Sequence, residues 1–309
     1  MKAQAVLLTA IGIGITLFCL LGVSWLGPMG AFLNLFSALP AAYLTLRFGI
    51  RSGMVVVTVV CLILAQLTTT YTLMAYLGLF GVGSLLLPYC LLRRIPWDRA
   101  VFYATLGAAV VTAVMMIGTV VAQDLNMATL VDQMVRSEVD QAMQVYRDAG
   151  FNGSQLQDMK AAVEGMAGFI SRSFYGLYLA VLFGVQALTM IFLQRFKQSK
   201  EQIVGPSFAR WRLPAPLIWV LIAGGFIQLV PLAGLSVVGW NLLVVVLPLY
   251  FFQGMAVVHH FLQRKKYPSS VKGVIYLLLL IFNPLPMIVT SVGVFDLWID
   301  FRRPRQKQI

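Results

Sequence analysis

Charge is what this sequence has least of. Asp, Glu, Lys and Arg make up 11% of 309 residues, and 60% of the chain is hydrophobic. Soluble domains carry about 25% charged residues, so a soluble fold built from this composition has too little polar surface to cover itself. Histidine is confined to His259 and His260, and cysteine to Cys19, Cys61 and Cys90, each inside an apolar run. With no paired Cys spacing and no HExxH, neither a disulfide framework nor a zinc site is expected. No Gly-rich phosphate loop with its Lys occurs, which denies the chain an ATPase of its own. The apolar runs also lack Asp, Glu, Lys and Arg away from their ends. Proton-coupled pumps and intramembrane proteases depend on such groups. The expectation is a protein that is not an enzyme and uses no cofactor or metal.

What fills the chain instead is a series of apolar runs, many near the roughly 20 residues a helix needs to cross the hydrocarbon core. They lie at 5–26, 29–46, 53–71, 74–92, 100–122, 174–194, 215–237 and 240–262, with an interrupted ninth at 273–297. Blocks such as 55–65 lack the alternation of an outer-membrane strand, whereas helices satisfy every backbone group within the segment. The expected fold is all-α: a polytopic transmembrane helix bundle of eight spans plus a broken ninth hydrophobic segment, and an external helical hairpin. The expected setting is the cytoplasmic membrane of a bacterium, with the lipid bilayer as first partner. Gly22-Val23-Ser24 resembles a signal-cleavage site. The apolar run continues through Trp25 and Leu26, however, and a retained first helix is expected.

A net charge of +12 does not point to nucleic acid, because the basic residues sit in short clusters between runs, where topology explains them. If every run crosses once, Lys2, Arg47, Arg51, Arg93, Arg94, Arg99, the segment 195–212, Arg264, Lys265, Lys266 and Lys272 share one side. That side is cytoplasmic, and so is the N-terminus. A single crossing by the ninth run would strand Arg302, Arg303, Arg305 and Lys307 outside. Asn283-Pro284-Leu285-Pro286 breaks that run. It either turns back as a re-entrant hairpin or crosses with a kink.

The connection 123–173 holds seven of the eleven acidic residues against four basic ones, a net −3, leaving +15 for the rest. Val131, Val135, Val139 and Val145 recur at helical spacing, as do Leu156, Met159, Val163 and Met166. Gly150-Phe151-Asn152-Gly153-Ser154 forms the turn between them, with Ser154 and Gln157 as a capping box. The organisation expected is a five-helix membrane region over 1–122, an external amphipathic hairpin over 123–173 continuing the fifth and sixth spans outward, and a C-terminal membrane region with a basic tail over 174–309.

Uncharged polar residues in the runs carry the only chemistry: Asn34, Gln66, Thr68, Thr69, Thr70, Gln186, Gln228, Asn241 and Gln253. Each is costly in lipid unless it meets another helix, a cavity or a ligand. Gln66, Thr69, Gln228 and Asn241 are candidates to line a cavity for a small neutral polar solute. Interhelical bonding is the competing reading. His259 and His260 diverge by about 100° on a helix and are read as an interfacial pair rather than a chelate. Ala10-xxx-Gly14 and Gly49-xxx-Gly53 permit close helix approach.

Near the C-terminus, Gly293-Val294-Phe295-Asp296-Leu297-Trp298-Ile299-Asp300-Phe301-Arg302 resembles the closing signature of the YybS-like family of bacterial membrane proteins, a family of unknown function, and Gln253-Gly254-Met255-Ala256 is similar to a second stretch of it. That likeness singles out Gly293, Asp296, Trp298, Asp300 and Arg302. It leads us to expect Asp296 or Asp300 to pair with Arg302 or Arg303. The N-terminal third, with Leu39-Pro40 and Arg47-Phe48-Gly49-Ile50-Arg51-Ser52-Gly53, resembles the substrate-capture subunits of energy-coupling-factor transporters. These bind a solute and borrow an ATPase module. The present chain departs from them in its extra C-terminal spans and its long hairpin. Together these readings suggest a solute-binding or transport-related subunit lacking its own ATPase, partnered by an ATPase module or another membrane protein. The alternative is a scaffold or regulator that recruits partners through its hairpin and basic loops.

Overall fold

The computed structural model describes residues 3–26, 28–148, 150, 154–196, 201–230, 233–265 and 267–302. Lys2, the turn residues 151–153, Lys266, Arg303, Arg305 and Lys307, together with the side chain of Ser154, lie outside the described residues. Helices make up the described chain, with no strand among them, and two compact units form: 1–130 with 181–205, and 131–180 with 206–309.

The first unit begins with α1 (Ala3–Leu26), α2 (Pro28–Asn34), α3 (Leu39–Phe48), α4 (Ile50–Leu67), α5 (Thr70–Leu92) and α6 (Trp97–Ala122). The faces of α6 explain why it belongs in lipid. Phe102, Leu106, Val110, Val114, Ile117 and Val121 point outward, while Ala100, Ala104 and Ala108 are fully buried. Large apolar side chains outside and small ones inside invert the soluble pattern; small residues let helix backbones approach where lipid solvates the rest. Glycine does the same on α4, where a Cβ on Gly53 would lie 2.9 Å from Leu85 and 3.0 Å from the Ala41 carbonyl oxygen. Gly14 has open space beside it, so the Ala10–Gly14 pair faces outward; Gly49 has open space too, and of the second pair Gly53 alone marks a close approach.

The expected second span, 29–46, is instead the two short helices α2 and α3. Between them the backbone closes i to i−3 turns, from Phe36 to Leu33, Ser37 to Asn34 and Leu39 to Phe36. Pro40 in the first turn of α3 has no N–H to continue the earlier ladder. Midway along α5 the helix widens into a π-turn at Leu77–Gly81, a distortion that recurs at functional sites. Buried Ala38, Val56, Val60, Leu64, Tyr76 and Val185 form one apolar cluster, and Leu46, Leu87, Ala104, Met190 and Leu193 lie in a second.

The hairpin comprises α7 (Met127–Asp148) and the first half of α8 (Ser154–Leu193). Its first helix does not continue the fifth span: α6 ends at Ala122, Asp124 takes φ +51°, and Asn126 opens α7 by accepting the Thr129 N–H at 2.7 Å. Its second helix does continue into the sixth. Forty residues give α8 a length of about 60 Å, twice the hydrocarbon thickness.

The second unit also contains α9 (Leu217–Ile227), α10 (Ala233–Arg264), α11 (Ser269–Ile281) and α12 (Leu285–Ile299). The expected seventh span, 215–237, divides into the 11-residue α9 and the first residues of α10. The Gln228 amide then bonds Ser236, donating to its carbonyl at 3.0 Å and accepting from its hydroxyl at 3.1 Å, which fastens the turn into α10. The ninth run is α11 and α12, bent by 100°. Among the described residues six helices are long and apolar enough to cross a membrane, seven if the bent pair is one span. The remaining apolar runs form shorter pieces.

Candidate functional site

The polar residues proposed as a cavity lining divide between the units. In the first, Gln66 is exposed on α4, and Thr69 is the N-cap of α5, its hydroxyl 3.1 Å from that of Thr72. In the second, Gln228 closes the turn described above. Asn241 on α10 reaches α8, where its Oδ1 accepts the Gly176 N–H at 2.7 Å and its Nδ2 donates to the Arg172 carbonyl at 2.7 Å. In a regular helix those two backbone groups bond each other, so the carboxamide docks on the same donor and acceptor that the ladder uses. Gly176 makes this possible: a Cβ there would overlap the Asn241 backbone, 2.9 Å from its Cα.

A different polar residue in the first unit has no partner. Gln186, fully buried on α8, finds no hydrogen bond for either Oε1 or Nε2. It lies against Gly83, where a Cβ would intrude on its carboxamide, two residues beyond the π-turn. Asn34 Oδ1 and Ser37 Oγ, in and after α2, are likewise buried and unpaired. Ala38, beside Ser37, and Val185, beside Gln186, share one apolar cluster. Each unmade bond of this kind costs about 1–3 kcal/mol. The sequence named Gln186 and Asn34 as polar but held no sign of which amides would be left over.

The C-terminal signature residues converge in the second unit. Asp296 is the only buried carboxylate among the described residues. Arg302 forms an ion pair with it and is itself 5% exposed, and Gln253 Nε2 donates to it at 3.3 Å. Arg302 also donates to the carbonyls of Ala209 at 3.0 Å and Trp211 at 2.8 Å, while Gln253 Oε1 accepts the Leu213 N–H at 3.0 Å. Arg212 extends the network, its Nε 3.8 Å from Asp296 and its Nη2 paired with Asp300. The expected pairing of Asp296 with Arg302 is therefore present, and Arg212 is the partner that sequence spacing missed. Gly293 serves by packing: a Cβ on it would lie 2.7 Å from the Gly254 nitrogen, where α12 crosses α10. Trp298 is exposed on the outer face of α12.

Beside this network opens a cavity of about 870 Å³, lined by Arg210, Arg212, His260, Arg264, Asp300 and Arg302 among others. His260 thus faces the cavity, while His259 turns to the Tyr276 hydroxyl and to Gln263. The two histidines diverge as helix geometry requires, and no group of three metal-ligating side chains occurs among the described residues. A second cavity of about 1010 Å³ runs along the hairpin between carboxylates such as Asp132 and Glu164 and bases such as Arg136 and Arg172.

A family model, described as predicted membrane protein (DUF2232), matches residues 13–297. No curated protein and no solved structure matches the chain.

Proposed function

The chain belongs to the DUF2232 family of predicted membrane proteins, and on that premise we propose that it is a solute-binding, transport-related membrane subunit that takes its energy from another protein. The observation that carries this reading is Gln186, fully buried with neither end of its amide paired. A dry bundle gains nothing by keeping a donor and an acceptor unmet. A small neutral ligand presenting an acceptor beside a donor would satisfy both. Neutrality is in keeping with the first unit, where no Asp, Glu, Lys or Arg among the described residues is fully buried and Asp98 is half-buried with its Oδ1 covered. The likeness of the N-terminal third to solute-capture subunits points the same way, and a binding role needs no catalytic groups.

The membrane reading that accompanies it is a bacterial cytoplasmic membrane with the N-terminus inside. The eight-crossing count is met if α2 with α3, and α9 with the turn after it, each pass once as a broken span. The ninth run is then re-entrant. Support comes from the cavity that Arg302, after the run, shares with Arg264, before it.

Thermal unfolding of the purified chain against a panel of neutral metabolites and vitamins tests the function. A ligand that binds only the folded state raises its stability, and Gln186→Leu should abolish that shift. The same variant should keep or raise the unliganded melting temperature, because replacing an unpaired amide by an apolar group of similar size removes a cost. A wild type that no ligand stabilises, with Gln186→Leu less stable than wild type, would sink the proposal and favour partner recruitment by the hairpin.

A further inference from the structure

The basic cavity of the second unit is separate from the Gln186 site and different in chemistry. Its walls come from three segments distant in sequence: the stretch around the 3-10 turn Phe208–Arg210, the end of α10, and the residues after α12. Arg210, Arg212, Arg264 and Arg302 bring four guanidiniums to it, and His260 adds an imidazole. The carboxylates in reach are Asp300 on the wall and Asp296 behind it. That leaves a surplus of two positive charges before His260 is counted. Arg210 and Arg264 form no ion pair with a carboxylate among the described residues.

Membrane topology accounts for basic residues at one end of a bundle but not for their convergence from three segments on one concavity. Like charges gathered there repel unless an anion joins them. The frame is also rigid before any ligand arrives. Arg302 is held by Asp296 and two backbone carbonyls, Arg212 by Asp296 and Asp300, and the chain just after Arg212 by the Gln253 bond to Leu213. Pre-ordered donors lower the cost of binding, and guanidiniums match phosphate oxygens with paired N–H groups.

We propose that this cavity binds a phosphate group, and that its source is the headgroup of an anionic phospholipid. Phosphate chemistry fits the surplus charge, since a diester carries one negative charge and a monoester about 1.5 to 2. The lipid source follows from the rim. Phe295, Trp298 and Ile299 are exposed on α12 just before Asp300, an apolar face on which acyl chains can lie while the headgroup enters. An exposed Trp at the end of an apolar helix is the side chain that favours the headgroup level.

Full-length protein in a neutral detergent would be titrated with phosphatidylglycerol, phosphatidylcholine and inorganic phosphate at matched ionic strength, with thermal unfolding as the readout. Saturable stabilisation by phosphatidylglycerol is expected. Arg210→Ala with Arg264→Ala should weaken it on the order of 10- to 100-fold, the loss of two charge-assisted contacts. Arg99→Ala, a charge removed from the other unit, should leave it unchanged. Where the double variant fails to fold, Arg264→Gln at the exposed end of α10 must alone weaken binding about tenfold. Phosphatidylglycerol acting without inorganic phosphate identifies the headgroup; inorganic phosphate acting equally well keeps the phosphate site and replaces its source. Stabilisation that the cavity variants leave intact, or no stabilisation by either ligand, overturns the proposal.

Discussion

Asp296 and Asp300 stand four residues apart at the end of one helix, yet their surroundings assign them different weights. Asp296 is fully buried and faces an arginine that is itself 5% exposed; Asp300 meets Arg212, whose side chain is 45% exposed. Removing one member of a buried pair strands the other charge, at a cost of about 3–5 kcal/mol, whereas an exposed pair contributes about 0–1 kcal/mol. Asp296→Ala should therefore lower stability by about 3–5 kcal/mol in equilibrium unfolding from mixed micelles, and Asp300→Ala by under about 1 kcal/mol. Combining Asp296→Leu with Arg302→Met should recover only part of the loss, because the carbonyls of Ala209 and Trp211 lose their donor. Equal effects of the two single alanines would contradict this ranking. A pairing of Asp296 or Asp300 with Arg302 or Arg303 was expected because the family likeness singled out Asp296, Asp300 and Arg302 close together near a helix end. Arg212 and Gln253 reach Asp296 across long stretches of chain, and spacing cannot reveal which distant loop a fold will bring home.

At the level of helices, apolar run length was the legible signal, and the interruptions were not. Run 29–46 reads as continuous through Leu35 and Phe36, so nothing in its hydropathy marks the turn before α3; the break lies in Ser37 and in Pro40, which cannot donate. Glycine was read by its four-residue spacing, but what decides its role is the backbone facing it. Gly254 and Gly293 each meet the opposing helix, where a Cβ on Gly254 would lie 2.8 Å from the Val289 carbonyl carbon. We expect Gly254→Ala and Gly293→Ala each to cost about 1–3 kcal/mol by forcing α10 and α12 apart. Gly14→Ala, with open space around it, should be neutral or gain up to about 1 kcal/mol from helix propensity. Thermal melts of the three variants decide the point, and destabilisation of all three alike would place the cost in the substitution rather than in the crossing.

For the whole molecule, composition fixed the solvent, because 11% charge leaves no alternative to lipid, but it could not foresee that residues 181–205 would join the N-terminal unit. That grouping rests on side chains such as Val185, Met190 and Leu193 packing among the earlier helices, information that no single run contains. Topology is where sequence and geometry reinforce one another. On the charge rule we propose Lys265 in the cytoplasm and Asp140 outside, with the tail either crossing by a kink or returning. The 100° bend between α11 and α12 and the cavity that Arg264 and Arg302 share favour the return. Fusing a compartment-sensitive reporter after Lys265 and after Lys307 should then give the same cytoplasmic readout, with a fusion after Asp140 giving the opposite one. A tail that reads outside would mean that α11 and α12 cross together, carrying Arg303, Arg305 and Lys307 against the charge rule. It would also require Arg302 to leave the network that holds it, because a side chain bonded to Ala209 and Trp211 cannot lie on the far side of the membrane from them. The same fusion thus tests the topology and the ionic network together.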